Sequence, residues 1–398
     1  MIELGGFDWV LTVLRYGPWW RRHRRAFHRF FNVNAVASYH SLQRVQIVHF
    51  LRRLLKTPDD FAEHIRHLFA ATITRIAYGT EIKEKDDEFV RLAEDGLLAF
   101  NTLLAPGKYL VELFPSLRFV PAWCPGAKFK REAARARVTV RNVLQLPWAH
   151  TLDAMSNGSV KNSMVTAFME HIVQLHGQEA VQETEVAQNT VAVAYAAGAD
   201  TTLSSIQAFF SIMASCPEVQ RKAQAELDVV VGSTRLPDSP DIDALPYVSA
   251  VIKECLRWHT VVPLAVPHRL IEDDEYRGYL IPKGTLVIPN VCPFDFKPER
   301  FMKDGRLDPD ILDPSEYAFG YGRRICPGQQ FAQSSLFLIV STVLHTMSIT
   351  SPEGEDAGSR QLRAKGKVSD GIISYPEPFD CVITPRGLWA ETLVLNGL

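Results

Sequence analysis

Four short stretches hold the residues able to do chemistry. The most informative is Phe319-Gly320-Tyr321-Gly322-Arg323-Arg324-Ile325-Cys326-Pro327-Gly328. A lone cysteine follows a glycine-rich, basic loop and directly precedes a helical pattern. A thiolate there faces a helix N-terminus, where unpaired N–H groups and the macrodipole favour negative charge. Such settings lower a thiol's pKa. Gly322 and Gly328 let the backbone approach a flat ligand, Arg324 offers a planar fork to a carboxylate, and Phe319 gives an aromatic wall. These residues suit an iron thiolate beneath a haem whose propionates need cations. On their own they also suit a buried structural cysteine in a Gly-rich loop.

The second stretch, Ala197-Gly198-Ala199-Asp200-Thr201-Thr202, lies in the middle of the apolar run 191–214. A helix contact made by small residues would explain all of it except Asp200, because an unpaired buried carboxylate is costly. In the third, Glu254 and Arg257 are three apart and share a helix face; a bare pair of this kind is most often a surface ion pair worth about 0–1 kcal/mol. The fourth is the basic run Arg21, Arg22, His23, Arg24, Arg25, His28 and Arg29. Trp19, Trp20, Phe27, Phe30 and Phe31 interleave with it, which makes an amphipathic helix rather than a nucleic-acid patch. His64 with His67, and His171 with His176, come without a third ligand and do not make a zinc site.

The elements that must position these residues are mostly helices. Apolar spacing predicts helices over 61–78, 85–104 and 128–146, a long one over 183–215, and others over 218–230, 247–258 and 329–347. After Pro263 the pattern alternates, with turns at Arg277-Gly278 and Lys283-Gly284, so 268–289 reads as short strands; 372–385 alternates again. The fold class is therefore mainly α with a small β component, in a single domain over 1–398 with no linker. Hydrophobic residues make up 46% of the 398, enough for a large core, and the net charge of -2 gives no global attraction to nucleic acid or acidic membranes. The six cysteines form no CxxC pair and read as reduced thiols. Glu3 and Asp8 interrupt the apolar start, so no signal peptide is expected in Met1 to Arg15. The run 191–214 could span a bilayer by length, but Asp200 near its centre favours a buried core helix.

The first stretch resembles the cysteine-loop signature of the cytochrome P450 family, F-x-x-G-x-R-x-C-x-G, and Phe319, Gly322, Arg324, Cys326 and Gly328 match every fixed position. The context agrees. Glu254 and Arg257 resemble the family's E-x-x-R pair, and Pro298-Glu299-Arg300-Phe301 its P-E-R-F box, whose Arg300 would join that pair as structural core. Ala197 to Thr202 resembles the oxygen-activation motif, where the helix loosens at the glycine and opens a groove beside the iron. Trp20 and Arg24 match the W-x-x-x-R helix that contacts a propionate, with the other arginines facing outward toward an acidic reductase. His268, in Pro267-His268-Arg269, aligns with a strand position that reaches a propionate, with Arg269 as the alternative.

The resemblance spans about 5–385. It implies the cytochrome P450 fold and haem b (iron protoporphyrin IX) with Cys326 as iron ligand. It further implies catalytic roles for Thr201, which hydrogen-bonds dioxygen, and Asp200, which helps relay protons; their presence favours a monooxygenase over relatives that rearrange peroxides. The expected partners are NADPH-cytochrome P450 reductase, dioxygen and a small apolar substrate, with the chain acting as a monomer and not on nucleic acid. The runs Y-G-P-W-W-R-R-H-R-R (16–25) and Y-x-G-Y-x-I-P-K-G-T (276–285) resemble fungal microsomal members used in secondary or xenobiotic metabolism.

Two departures stand out. Such relatives begin with a membrane anchor, a proline-rich hinge, a first helix and strands of the small sheet, none of which precedes the Trp20 helix here. The expectation is a P450 fold lacking its N-terminal helix and first strands, with exposed strand edges, in a cytoplasmic or peripheral protein where the relatives sit in the endoplasmic reticulum membrane facing the cytosol. Second, 287–290 runs almost directly into 292–295, where relatives carry a W-A-x-x-x-D stretch. The alternative function is accordingly a truncated, non-catalytic haem-binding or inactive remnant of the same family.

Overall fold

Burial of apolar helix faces sets the layout. The computed structural model describes residues 1–105, 107–290, 295–354, 368–369 and 371–397. Its longer helices are α1 (Pro18–Phe31), α2 (His40–Lys56), α3 (Phe61–Tyr78), α4 (Glu88–Leu103), α5 (Lys128–Ser156), α6 (Met164–Ile172), α7 (Gly177–Ser215), α8 (Pro217–Val230), α9 (Pro246–Trp258), α10 (Gln329–Thr346) and α11 (Leu388–Asn396). The strands are β1 (His268–Arg269), β2 (Asp274–Tyr276), β3 (Tyr279–Ile281), β4 (Leu286–Val287), β5 (Met302–Lys303), β6 (Arg306–Leu307), β7 (Met347–Thr350) and β8 (Val382–Pro385). They pair antiparallel as β1–β4, β2–β3, β5–β6 and β7–β8, each a two-stranded ribbon. The protein is mainly α with a small β component.

α7 organises the whole. Its first half (Ala187 to Ala199) packs into one apolar cluster with α1, α5 and α6, and its second half (Leu203 to Ala214) into another with α2, α8, α9 and α10. A helix apolar all round belongs in a core, and no helix among the described residues is long and apolar enough to cross a membrane. α7 stops where it must: Cys216 leaves the helical region (φ -124°, ψ 68°), as a residue before proline tends to, and Pro217 opens α8. α3 packs along α7, and Gly198 lies at this contact, facing Ile73. A Cβ there would lie 2.8 Å from Ile73 Cγ1, so only glycine lets the two helices meet at that distance.

Several boundaries move for identifiable reasons. α4 starts at Glu88 rather than 85 because Asp87 caps it, its Oδ1 accepting from the N–H groups of Phe89 (2.8 Å) and Val90 (3.2 Å). α5 runs ten residues past 146, straight through Pro147. A proline inside a helix lacks one hydrogen bond; burial of Pro147 and Trp148 offsets it here. The ribbons between 268 and 287 are exposed: Tyr276, Tyr279, Leu280 and Leu286 each show more than half of their surface. The abrupt join between 287–290 and 292–295 falls on residues 291–294, outside the described residues.

Candidate functional site

The cysteine loop is built by its own backbone. Cys326 N–H donates to the Phe319 carbonyl at 2.7 Å, and Ile325 N–H to the Gly322 carbonyl at 3.2 Å, folding 319–326 back on itself ahead of α10. Gly322 takes a left-handed φ of 54° to allow this. Phe319 is half-buried against the core cluster around α9 and α10. Cys326 is exposed, although protein lies close enough to its sulfur to remove hydration from it. Burial pushes the thiol's pKa up, and this outweighs the Gly328 N–H on the sulfur and the Arg24 charge, which both lower it. The helix N-terminus alone therefore does not lower the pKa as the sequence suggested. The surrounding protein takes away more hydration than two polar neighbours return.

α1 supplies the wall beside this loop. Trp20, His23, Phe27, Phe30 and Phe31 are buried along one face, so its arginines divide by position. Arg24 reaches back to the loop, its Nη1 donating to the Ile325 carbonyl at 2.5 Å. Arg324 stacks over Trp20 at 4.8 Å, and Tyr16 lies 5.2 Å from the same ring. Trp20, Arg24 and Arg324 thus meet the chain within two residues of Cys326. Burial lowers the pKa of both arginines, which remain charged. Arg21, Arg25 and Arg29 face solvent. Arg22 does not, contrary to the outward-facing expectation: it pairs with Glu183 of α7 (2.6 Å) and bonds Gln182 (2.9 Å). The same interface is closed by buried His23, whose Nδ1 meets the Trp19 carbonyl and whose Nε2 meets Asn189.

Behind the loop lies a buried ionic knot. Glu254 is fully buried and accepts from Arg257 Nε (2.7 Å) and Nη2 (2.9 Å), Arg300 Nε (3.1 Å) and the Lys297 N–H (2.5 Å). Arg257 also donates to the Asp295 carbonyl, and Arg300 to Asp295 Oδ1 at 2.9 Å. Tyr317, two residues before Phe319, stands close enough to Arg257 for that charge to act on its phenol. The knot therefore ties α9 to both the 295–300 turn and the start of the cysteine loop.

In α7, a break in burial marks the second chemical stretch. The helix is buried on both sides of it, whereas Ala197 is exposed and Ala196, Gly198, Asp200 and Thr201 are half-buried. The helix does not loosen there. It is α-helical throughout, Thr201 Oγ1 donates to the Ala197 carbonyl at 2.9 Å, and Gly198 serves the contact with Ile73. Asp200 has a partner the sequence did not show: Tyr375 donates its hydroxyl to Asp200 Oδ2. Burial still raises the Asp200 pKa, opposed by Tyr375 and by the Arg66 charge. His268 is half-buried on β1 opposite Val287; Arg269, its alternative, lies against the turn at Gly284.

These residues fit a haem. An accessible sulfur at the start of a helix can hold iron. Paired cations beside a buried Trp suit two carboxylates. The helix that packs on both α1 and α10 leaves small residues, one carboxyl and one hydroxyl less than fully buried at its middle. The comparisons point the same way. A family model described as Cytochrome P450 matches residues 10–368. The chain is 39% identical over 405 residues to cytochrome P450 monooxygenase COX2 of Coprinopsis cinerea, covering 99% of this chain and 77% of that protein. It is 42% identical over 388 residues to COX1 of the same fungus, covering 94% and 74%. To tryptamine 4-monooxygenase of Psilocybe cyanescens it is 36% identical over 397 residues, covering 97% and 76%.

Proposed function

The chain belongs to the cytochrome P450 family, and from that premise we propose that it inserts one atom of dioxygen into a small apolar organic substrate. The enzyme class is monooxygenase and the cofactor haem, as for its named relatives. In this reading electrons come from NADPH through a cytochrome P450 reductase, and the chain works as a monomer. Bound haem supplies the redox chemistry that activates dioxygen.

The protein's own groups do the rest. Cys326 ligates iron through its sulfur, with Gly328 N–H and the Arg24 charge supporting the anion. Trp20, Arg24 and Arg324 would hold the propionates, Phe319, Gly322 and Gly328 would shape the loop that receives the haem, and His268 on β1 would give a further propionate contact. Thr201 spends its one donor on Ala197 and keeps its lone pairs, so it can accept, or turn and donate, toward a ligand at this less buried stretch of α7. Asp200, whose pKa burial raises above the ordinary carboxylate value, can take up and pass on a proton beside Thr201. Glu254, Arg257 and Arg300 keep the loop in register.

The observation that carries this reading is the exposed sulfur of Cys326 inside an otherwise closely surrounded loop, with cations from two elements beside it. A carbon monoxide difference spectrum of the reduced, haem-loaded protein tests it. A Soret band at the thiolate position is expected, and Cys326→Ala abolishes it. A thiolate band that survives Cys326→Ala refutes the ligand assignment, while wild-type protein with no Soret band supports the rival reading of an inactive remnant.

A further inference from the structure

The segment 371–376 carries no motif, yet three elements pin it. Asn101 of α4 brackets Ile373, accepting from its N–H at 2.8 Å and donating to its carbonyl at 3.2 Å. Ser374 N–H donates to the Val261 carbonyl at 2.8 Å, just past α9. Ser204 of α7 donates to the Ser374 carbonyl at 2.5 Å. That donation uses the hydroxyl's only proton, so His259, 2.8 Å away through Nε2, must donate to Ser204. The backbone on which Tyr375 stands is thus fixed immediately before it by α4, by α7 and by the turn after α9.

From that platform the Tyr375 hydroxyl reaches Asp200, which sits one turn before Ser204 on α7. Arg66 of α3 lies near enough for its charge to act on Asp200, but its hydrogen bond goes to Glu63 and it forms an ion pair with Glu94 of α4 (2.6 Å). Among the described residues, the hydrogen bond to the Asp200 carboxylate comes from Tyr375. We propose that Tyr375 is a positioning residue, held by the 371–376 strap so that its phenol fixes the Asp200 carboxyl beside Thr201. The inference deepens the monooxygenase reading and rests on it for its catalytic consequence. Side chains locked by a supporting shell hold reactive groups to within about 0.5 Å, and a strap anchored at Ile373 and Ser374 is such a shell. The phenol stays protonated, because burial and the adjacent carboxylate both push its pKa up, so it remains a donor throughout the working range.

Two measurements on the full-length chain test this, using Tyr375→Phe, Asp200→Asn and the double variant. The first needs no haem. Urea midpoints are compared from pH 7 down to pH 4. The groups facing Asp200 are Tyr375, Arg66 and, beyond Arg66, Glu94 and Glu63. The phenol favours ionised Asp200, so Tyr375→Phe lowers the midpoint at pH 7 and the deficit shrinks as pH falls through the Asp200 pKa. In the Asp200→Asn background that pH dependence vanishes. The second uses haem-loaded protein, reductase, NADPH and indole as an apolar probe. Tyr375→Phe raises the hydrogen peroxide released per NADPH oxidised by about tenfold, less than the 10²–10⁴ range for loss of a proton-transfer group itself, and the double variant matches Asp200→Asn. Additive effects, or a pH-independent deficit, overturn the proposal. A wild-type protein without a thiolate band or turnover sinks the monooxygenase reading instead; the haem-free coupling then still judges the contact, supporting it when present and overturning it when absent.

Discussion

The knot at Glu254 makes an asymmetric prediction. Its carboxylate is fully buried, whereas the Arg257 and Arg300 side chains are 17% and 29% exposed. Arg257 gives it two hydrogen bonds, at 2.7 and 2.9 Å; Arg300 gives one, at 3.1 Å, and spends its other contact on Asp295, which is 70% exposed. Hydrogen bonds to charged groups contribute about 1.5–3 kcal/mol each, and an exposed pair contributes about 0–1 kcal/mol. Arg300→Ala should therefore cost about 2 kcal/mol, and Arg257→Ala about 3–5 kcal/mol, the range for breaking a buried pair. Glu254→Gln should cost less than Arg257→Ala. It frees two arginines that can turn toward solvent, whereas losing Arg257 strands a carboxylate that cannot. Urea unfolding followed by tryptophan fluorescence ranks the three by midpoint at constant slope. The reasoning fails if Arg300→Ala equals or exceeds Arg257→Ala, because the cost would then track the number of charges removed and not the hydrogen bonds lost by the buried group.

Other consequences follow from single contacts. His259 is buried against Ser204, and its pKa is lowered to about 4 by loss of hydration. The unfolded chain therefore binds more protons between that value and about 6.5, so stability drops as pH falls through this window, by about 3 kcal/mol at most. His259→Gln should flatten that slope in pH-dependent unfolding, and an unchanged slope excludes His259 as its source. Gly198→Ala places a methyl 2.8 Å from Ile73 Cγ1 and should cost about 1–3 kcal/mol as overpacking. Adding Ile73→Ala should make the effect of Gly198→Ala smaller, and strict additivity in thermal unfolding would show that the clash is not the cause. Thr201→Ala leaves haem bound and raises peroxide release per NADPH; unchanged coupling would remove Thr201 from proton delivery.

Legibility in the sequence followed the range of the interaction. α3 could be bounded to the residue, because its apolar spacing and the following Gly79 are local signals. The β2–β3 ribbon with its Arg277-Gly278 turn was equally plain, and so was the cysteine loop, whose folding back rests on hydrogen bonds within eight residues. Glu254 and Arg257 announce themselves as neighbours on one helix, and Arg300 required only the P-E-R-F run. Even so, the tone of a local signal could mislead. The position of Cys326 ahead of α10 suggests a lowered pKa, but hydration lost to distant chain decides the sign. The proline at 147 suggests a helix end, but burial of its neighbour Trp148 carries α5 onward.

The middle of α7 shows where such reading stops. Composition singles out 197–202, and an acid within it demands a partner, but nothing in the sequence says that the partner is 175 residues away. Tyr375 lies in an alternating run like any half-buried strand. What makes it special is the registration of that run against Asn101, Ser204 and Val261, three positions on three elements. None of those side chains is unusual where it stands. A single hydroxyl or amide in a helix has many possible partners until the chain is folded, and only the tertiary structure selects among them. The Gly198 contact obeys the same logic from the opposite direction. Its lack of a side chain reads as a weak point in a helix, and becomes a requirement only once Ile73 is known to face it. The half of the site proposed to touch the cofactor is thus written in short motifs. The half that holds Asp200 in place is written in pairings between motif-free segments, and substitutions there should alter proton handling while leaving the haem signature intact.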